Sequence, residues 1–302
     1  MQDRKPTILA VDDKVENLDI LSALLEDYDV RDVTDGASAL QLLKENTVDL
    51  ILLDIMMPVM DGFELCQRIQ HKEEFRQIPI IFISAISDEQ AIERAFEVGG
   101  KDYVTKPFRP RELLARVKTQ IELKFMMERL QFLAFHDSLT GIYNRRRFFE
   151  LAEHLFGTRE DLHAVILDID HFKNINDRFG HGIGDETLRQ VVSAVRDRLP
   201  PEAVFGRLGG EEFGMLFPGY DTASLFSLVD TLREAVSHLI IPTPQGPIQC
   251  HISCGIAVRE PGLRNIDELL HHADEALYEA KGSGRNRVIF RNIEGRSAPR
   301  EG

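Results

Sequence analysis

Arg207-Leu208-Gly209-Gly210-Glu211-Glu212-Phe213 places two glycines directly before two glutamates and a phenylalanine. The glycines predict a tight reversal, and the apolar runs Ala203–Phe205 and Phe213–Phe217 predict the two strands of a β-hairpin. The tip is then bare backbone beside two carboxylates. Bare backbone lets a large phosphorylated ligand approach, and adjacent like charges repel unless a cation separates them. We therefore interpret the segment as a metal-holding hairpin rather than an exposed acidic turn.

A second acidic segment follows another predicted strand. The apolar run Ala164–Leu167 ends in Asp168-Ile169-Asp170. If this strand lies beside the hairpin, Asp168 and Glu211 form a site for two cations, which activate a ribose hydroxyl and neutralise a triphosphate. The two motifs thus predict one nucleotide site.

Polar residues further along the chain have the chemistry that a purine nucleotide requires. Lys173 offers a point charge to phosphate, and Asn176 with Asp185 offers donors and acceptors that match a guanine edge. Lys281 and Arg285 lie four residues apart at the end of a predicted helix, a spacing suited to a triphosphate tail. The chain contains no Walker-type glycine loop, which excludes a P-loop NTPase.

These segments resemble, in order, the motifs of the GGDEF family of diguanylate cyclases, with the signature in its GGEEF form. The resemblance extends over residues 137–291. Its opening run, residues 137–146, is expected to dock the preceding helix on the catalytic core. The resemblance implies an α/β domain of the nucleotidyl-cyclase type with a mainly antiparallel sheet. It also implies that a homodimer condenses two GTP into cyclic di-GMP and two pyrophosphates.

The resemblance implies a role for each residue of this site. The ligands of the two Mg²⁺ at each GTP site would be Asp168, the carbonyl of Ile169 and Glu211. Glu211 would also be the base for the 3′-hydroxyl, so the catalytic set is Glu211, Lys173 and Asp168. Asp170 and Glu212 would orient ligands. The residues expected to bind GTP are Phe172, Lys173, Asn176, His181, Asp185, Lys281 and Arg285.

One segment departs from the family pattern. Many members carry an R-x-x-D motif shortly before the signature hairpin, where the product binds and inhibits. Pro200 and Ala203 stand at the arginine and aspartate positions of that motif. Neither side chain can grip a guanine or a phosphate, so we expect product feedback through this site to be absent or weak.

Ahead of this region, strands and helices alternate over residues 7–121. The apolar runs Ile8–Val11, Leu50–Leu53 and Ile80–Ile83 predict strands buried on both faces, and Leu18–Leu25 and Ala91–Val98 predict helices. The alternation predicts a parallel sheet covered by helices. In such sheets the functional residues lie at the carboxyl ends of the strands. The polar residues at the strand ends are Asp12, Asp13, Asp54, Ser84 and Lys106.

The three carboxylates at this edge predict a Mg²⁺ site, because without a cation each would raise the pKa of the others. A carboxylate beside Mg²⁺ and a lysine is equipped to attack a phosphoryl group. The same segments resemble the receiver domain of two-component response regulators over its full length, a flavodoxin-like fold with a five-stranded parallel sheet.

The receiver resemblance implies that Asp54 is the phosphoacceptor of a cognate histidine kinase. The ligands of one Mg²⁺ would be Asp12, Asp13, Asp54 and the carbonyl of Met56. Ser84 and Lys106 would contact the phosphoryl oxygens, and Tyr103 would be the aromatic residue that reorients. A cis peptide is expected between Lys106 and Pro107.

The segment between the two regions predicts one long helix, because it contains no glycine or proline from residue 111 to residue 140. Its first apolar stripe consists of Leu114, Val117 and Ile121, and a second, offset stripe consists of Leu123, Met127, Leu130 and Ala134. The offset indicates two competing coiled-coil registers, or a first stripe that packs on its own sheet while only the second pairs. In both cases we expect a second copy of the chain as partner.

Composition limits the classes of partner and compartment. A net charge of −14 argues against nucleic acid and membrane surfaces as partners. No apolar stretch approaches the length of a membrane span, and the amino terminus lacks a secretory apolar core, so we expect a cytoplasmic protein. We interpret Cys66, Cys250 and Cys254 as buried small hydrophobes, the last two on one strand.

With 302 residues, the chain suits two domains better than one. The predicted division is a receiver at 1–122, a helical linker at 123–136, a cyclase domain at 137–295 and a tail at 296–302. The predicted function is a diguanylate cyclase activated by phosphorylation of Asp54. The alternatives are a non-catalytic module that senses GTP or docks a partner, and a cyclase for another base, although Asn176 and Asp185 favour guanine.

Overall fold

The computed structural model of the chain describes residues 4–85 and 89–291. The chain divides into two units, residues 1–131 and 132–302. The predicted tail at 296–302 lies outside the described residues, as do the last four residues predicted for the cyclase domain, 292–295. The predicted boundaries at residues 122 and 136 stay predictions.

The first unit is a five-stranded parallel sheet, as predicted, and its strand order is β2-β1-β3-β4-β5. Strands β1, β3 and β4 are buried along their whole length, because helices cover both faces of the sheet. The strands are β1 Thr7–Val11, β2 Asp29–Val33, β3 Leu50–Asp54, β4 Ile80–Ser84 and β5 Asp102–Thr105. The helices are α1 Val15–Leu24, α2 Gly36–Glu45, α3 Gly62–Gln70, α4 Glu89–Glu97 and α5 Pro110–Phe135.

Helix α5 has two halves with different surroundings. In its first half, Leu113, Val117 and Ile121 are buried in the core that covers one face of the parallel sheet. In its second half the apolar side chains are exposed: Leu123, Phe125, Met126, Met127, Leu130 and Leu133. Of the two explanations for the offset stripes, the structure favours a first stripe that packs on its own sheet.

The second unit has a mainly antiparallel sheet, as predicted. Its strand order is β10-β9-β6-β8-β7, and the β9–β10 pair is parallel. The strands are β6 Leu162–Ile169, β7 Val204–Gly209, β8 Glu212–Pro218, β9 Ile252–Val258 and β10 Val288–Arg291. The helices are α6 Arg145–Thr158, α7 Phe172–Phe179, α8 His181–Arg196, α9 Thr222–Ser237 and α10 Ile266–Gly282.

The predicted hairpin is formed by β7 and β8, with Gly210 at φ +53° in the turn. This conformation is costly for any residue with a Cβ, which explains a glycine at the tip. All three cysteines are free and buried, as interpreted from the sequence. The expectation that Cys250 and Cys254 share a strand is wrong, because β9 begins only at Ile252.

Candidate active site and receiver pocket

The pairing of β6 with β8 brings the two acidic motifs together. Asp168 lies opposite Glu212 in the antiparallel register, and the Ile169 N–H donates to the Glu211 carbonyl at 3.4 Å. Asp168 is buried, Glu211 at the hairpin tip is half-buried and Glu212 is exposed. Residues that are distant in the chain therefore form one acidic site at the end of the central strand.

Asp168 has a cation of the protein as its partner. Lys281, in the last turn of α10, places Nζ 2.9 Å from Asp168 Oδ2. Burial raises the pKa of Asp168 to about 6, against the opposing effect of Lys281 and with a further rise from Glu211 and Glu212. A buried carboxylate with two acidic neighbours is stabilised by additional positive charge, so this group of oxygens fits a divalent cation.

The other carboxylate of this segment, Asp170, has different contacts. It is 6% exposed; its Oδ1 accepts a hydrogen bond from Ser253 Oγ at 2.8 Å and its Oδ2 accepts one from the Asn286 N–H at 3.0 Å. Arg285 Nε lies 4.0 Å from Asp170 Oδ1. Lys281 and Arg285 thus lie near two different carboxylates, Asp168 and Asp170.

The other residues expected to bind GTP lie on α7 and α8. Phe172 is the buried first residue of α7 and Lys173 beside it is exposed. Asn176 packs against Gly184 of α8, where a Cβ would overlap Asn176 Oδ1. The structure therefore brings Asn176 close to the backbone that precedes Asp185. His181 is the exposed first residue of α8.

An arginine that the sequence analysis did not single out braces the hairpin tip. Arg207 of β7 donates through Nε to the Gly210 carbonyl at 2.9 Å and forms an ion pair with Asp137 at 3.0 Å. Burial raises the pKa of Asp137, but hydrogen bonds from Thr140 and Arg207 outweigh that effect and hold it below its usual value. The sequence signal for this contact was the position of Arg207 itself, a charged residue within an apolar strand.

The opening run of this unit contacts the end of α5. The Asn144 side chain caps α6 and also donates to the Ala134 carbonyl at 2.9 Å. Tyr143 hydrogen-bonds through its backbone to β7, with its N–H on the Phe205 carbonyl at 3.2 Å and its carbonyl accepting from Arg207 at 2.8 Å. These contacts agree with the expected docking role of residues 137–146.

In the first unit, the predicted polar residues converge at the carboxyl ends of the parallel strands. Carboxylate oxygens of Asp12, Asp13 and Asp54 lie within 4.8 Å of one another, a spacing that suits a divalent cation. Lys106 Nζ contacts Asp12 at 2.6 Å and Asp54 at 2.7 Å. Asn17 was not predicted, and its side chain donates to Asp12 at 2.8 Å.

The surroundings of Asp54 shift the pKa of its carboxyl group. Burial raises the pKa of Asp54 more than Lys106 lowers it. The Met56 N–H donates to Asp54 Oδ2 at 3.0 Å, while the Met56 side chain is exposed. Ser84 ends the neighbouring strand β4, and Tyr103 of β5 is buried. The Lys106–Pro107 peptide is cis, which confirms that expectation.

Pro200 and Ala203 lie in the connection between α8 and β7. The Ala203 N–H donates to the Pro200 carbonyl at 3.1 Å, so the two residues close a short turn. Both are half-buried, and neither brings a charge to the surface at this point.

Comparisons with known proteins identify both regions. The family described as diguanylate cyclase, GGDEF domain, matches residues 134–287, and the response regulator receiver domain matches residues 8–118. The response regulator PleD of Caulobacter vibrioides is 32% identical over 255 residues, which are 80% of this chain and 56% of PleD. The probable diguanylate cyclase DgcT of Escherichia coli is 39% identical over 53% of this chain and 36% of DgcT. The match thus spans little more than half of the length of PleD and about a third of the length of DgcT.

Solved structures resemble a part of the chain. The coiled coil and GGDEF domain of DgcB from Caulobacter crescentus, in complex with c-di-GMP, aligns with a TM-score of 0.54 and 30% identity, over 60% of this chain and 98% of that chain. The diguanylate cyclase SiaD of Pseudomonas aeruginosa, in complex with its activator SiaC, aligns with a TM-score of 0.51 and 29% identity, over 60% of this chain and 71% of that chain. Among residues 4–85 and 89–291, no helix is both long and apolar enough to cross a membrane.

Proposed function

This chain belongs to the GGDEF family of diguanylate cyclases and carries a response regulator receiver domain, and we propose that it condenses two GTP into cyclic di-GMP under the control of phosphorylation at Asp54. The observation that carries the proposal is the β6–β8 register, which joins the acid at the strand end to the acid at the hairpin tip. A family relationship alone would leave open a member that binds GTP without catalysis.

The contacts of the site support a nucleotidyl transfer. Glu211 accepts the proton of a ribose 3′-hydroxyl, the 3′-oxygen bonds to the α-phosphorus of a second GTP, and the bond from that phosphorus to the β-phosphate breaks to release pyrophosphate. Lys281, held against Asp168, and the exposed Lys173 supply positive charge to the phosphates. When bound to Asp168, the Ile169 carbonyl and Glu211, Mg²⁺ would neutralise the triphosphate and lower the pKa of the hydroxyl.

Recognition of guanine is assigned to the two helices after β6. Asn176 and Asp185 together supply an amide and a carboxylate, which match the donors and acceptors of the guanine edge. The close packing of Asn176 on Gly184 supports this assignment, because it holds the amide next to the carboxylate-bearing turn of α8. His181 and Phe172 complete the nucleotide site in this proposal.

Control by phosphorylation follows from the receiver pocket. An oxygen of Asp54 attacks the phosphorus of a phosphohistidine on the kinase, and the phosphorus–nitrogen bond breaks as the new bond forms. Lys106, which contacts both Asp12 and Asp54, is within reach of the new phosphoryl oxygens. Ser84 then contacts the phosphoryl oxygens and Tyr103 reorients. Mg²⁺ bound by Asp12, Asp13, Asp54 and the Met56 carbonyl would offset the negative charge of the phosphoryl group.

Dimerisation is assigned to the second half of α5. Leu123, Met126, Leu130 and Leu133 are exposed at spacings of three, four and three residues, which is the seam of a coiled coil. The stripe predicted from the sequence shares Leu123 and Leu130 but continues through Met127 and Ala134. Two overlapping seams on one helix support two alternative pairings of the dimer, each of which brings two GTP sites together differently.

Cross-linking tests this switch. Single cysteines introduced along residues 120–134 are cross-linked with and without an acyl-phosphate mimic on Asp54. The expected result is a change of the reactive positions from one seam to the other. An unchanged pattern overturns the register switch but leaves catalysis untouched.

Turnover tests the activity itself. Purified protein is incubated with GTP and Mg²⁺ and assayed for cyclic di-GMP, before and after treatment with acetyl phosphate, beside the Asp54→Asn variant. We expect product from the wild type, more product after treatment, and no response to treatment in the variant. Binding of GTP without product would favour the non-catalytic GTP sensor.

A further inference from the structure

Asp170 lies two residues beyond Asp168, and the cation beside it is Arg285, whose Nε lies 4.0 Å from Asp170 Oδ1. Both oxygens of the Asp170 carboxylate accept hydrogen bonds, from Ser253 Oγ at 2.8 Å and from the Asn286 N–H at 3.0 Å. Its own N–H donates to the His251 carbonyl at 2.9 Å. With 6% of its surface exposed, this carboxylate is directed at the loop after α10 rather than at the open site.

The loop that Asp170 contacts has an unusual backbone. Gly284, Arg285 and Asn286 have φ values of +114°, +63° and +45°. Glycine adopts such values freely and asparagine tolerates them, whereas Arg285 is strained in this conformation. A strained turn persists only when surrounding contacts hold it, and the hydrogen bond from the Asn286 N–H to Asp170 is one of them.

Other contacts of the turn fix its two ends. The Arg285 N–H donates to the Ala280 carbonyl at 3.0 Å, which ties the turn to the end of α10. Asn286 accepts from Arg233 at 3.1 Å through its side chain. Asp170 is therefore the contact that joins the turn to the end of β6, next to the candidate metal ligands.

We infer that Asp170 is a positioning residue that holds the Gly284–Asn286 turn so that Arg285 faces the triphosphate tail of GTP. The inference rests on the proposed function, and it assigns Asp170 to the turn rather than to the metals. Asp168 and Asp170, both at the end of β6, then have different roles. Asp168 holds Lys281 at 2.9 Å, and Asp170 holds the turn that contains Arg285.

Nucleotide binding tests the inference with a matched pair of ligands. Dissociation constants of 3′-deoxy-GTP, which lacks the attacking hydroxyl, and of GMP are measured by calorimetry in Mg²⁺ for the full chain and for Asp170→Ala. We expect the variant to lose about tenfold in affinity for the triphosphate and less than about twofold for GMP, which has no tail. Asp170→Asn keeps an acceptor for Asn286 and is expected to restore most of the affinity.

A double-mutant cycle tests whether Asp170 affects triphosphate binding through Arg285. If Asp170 acts through Arg285, adding Asp170→Ala to Arg285→Ala weakens triphosphate binding by less than about twofold beyond the single Arg285→Ala change. Ser253→Ala is the control, because it removes a hydrogen bond from the same carboxylate without touching the turn. The thermal midpoint of Ser253→Ala measures how far the loss of this hydrogen bond destabilises the fold. The affinity of Ser253→Ala for the triphosphate is expected to stay within about twofold of wild type.

Three results would overturn the inference. Equal losses for 3′-deoxy-GTP and GMP would indicate general damage to the site. A rise in the Mg²⁺ concentration needed for binding, with the tail preference intact, would make Asp170 a metal ligand. Independent, additive losses in the cycle would separate Asp170 from Arg285. A wild-type protein that binds neither nucleotide would instead refute the proposed function on which the inference depends.

Discussion

Lys281 Nζ lies 2.9 Å from Asp168 Oδ2, so the last turn of α10 reaches the end of the central strand β6. Without this ammonium group, a buried carboxylate would face Glu211 and Glu212 alone. The ion pair therefore offsets part of the negative charge that Asp168, Glu211 and Glu212 bring to the site.

Replacement of Lys281 by methionine tests that pair. We expect kcat/KM for GTP to fall about 10- to 100-fold, the usual loss for a hydrogen bond to a charged group. Arg264→Gln is the control: Arg264 lies just before the same helix, is exposed, and is expected to leave kcat/KM unchanged. A Lys281→Met enzyme with wild-type kcat/KM would contradict the assignment.

The two glutamates of the hairpin are expected to differ in importance. Glu211→Gln removes the proposed base at the tip, and kcat should fall about a thousandfold. Glu212 is exposed at the start of β8 and is not the proposed base, so Glu212→Gln should keep kcat within about tenfold of wild type. Cyclic di-GMP formation under saturating GTP gives both values, and equal losses would refute the distinction.

Product feedback is expected to be weak. Pro200 and Ala203 occupy the positions at which related cyclases bind their product through an arginine and an aspartate. Initial rates measured with increasing cyclic di-GMP should stay near the uninhibited value at low micromolar product. Inhibition in that range, with product occupying this turn, would show that other residues replace the missing pair.

Val59 is expected to destabilise the receiver domain. It is fully exposed and has a φ of +69°, which is strained for a β-branched residue. Val59→Asn should raise the free energy of unfolding by about 1 kcal/mol, because asparagine tolerates this conformation. Val15→Asn, at another exposed valine, is the control and should bring no gain. Thermal or urea unfolding measures both, and a loss at position 59 would contradict the prediction.

Stability is expected to fall in mild acid because of His163. This histidine is buried on β6, and its Nε2 lies 3.1 Å from Thr222 Oγ1. Burial lowers the pKa of His163 below its usual 6.5, against the opposing effect of Asp221 and Asp161. The unfolded chain therefore takes up a proton at a higher pH than the folded one, so this contribution is complete above pH 6.5 and declines below it.

The His163→Gln variant provides the comparison. It keeps a hydrogen-bonding partner for Thr222 but cannot titrate, so the stability of wild type relative to the variant should decrease as the pH falls from about 7.5 to about 5.5. Thermal midpoints at several pH values measure the difference. A difference that does not change with pH would rule out the histidine as the cause.

Most of the fold could be predicted because its signals are local. Uninterrupted apolar runs such as Ile80–Ile83 indicate strands buried on both faces, and the paired glycines before Glu211 indicate a hairpin. Polar residues at the ends of parallel strands could be grouped into one pocket, because the topology of such sheets places those ends at one edge. The predicted pocket of Asp12, Asp54 and Lys106 follows from that rule.

The contacts that the sequence analysis missed depend on pairing in space. Arg207 braces the hairpin through Asp137, which lies 70 residues earlier, and Asp170 accepts from Asn286, which lies 116 residues later. Neither separation leaves a periodic trace in the chain. The strand assignment of Cys250 was wrong for a related reason, because a strand begins where its neighbours offer hydrogen bonds.

The sequence by itself determined the element order, the two acidic motifs and the family, because hydrophobic period and turn chemistry are properties of neighbouring residues. Only the tertiary structure decided which carboxylate meets which cation. It separated Asp168, paired with Lys281, from Asp170, which holds the strained turn before β10. It also decided that Val117 and Ile121 of α5 are buried while Leu123 and Leu130 stay exposed. A helix has apolar residues on more than one face, and only the sheet beside it selects the face that is covered.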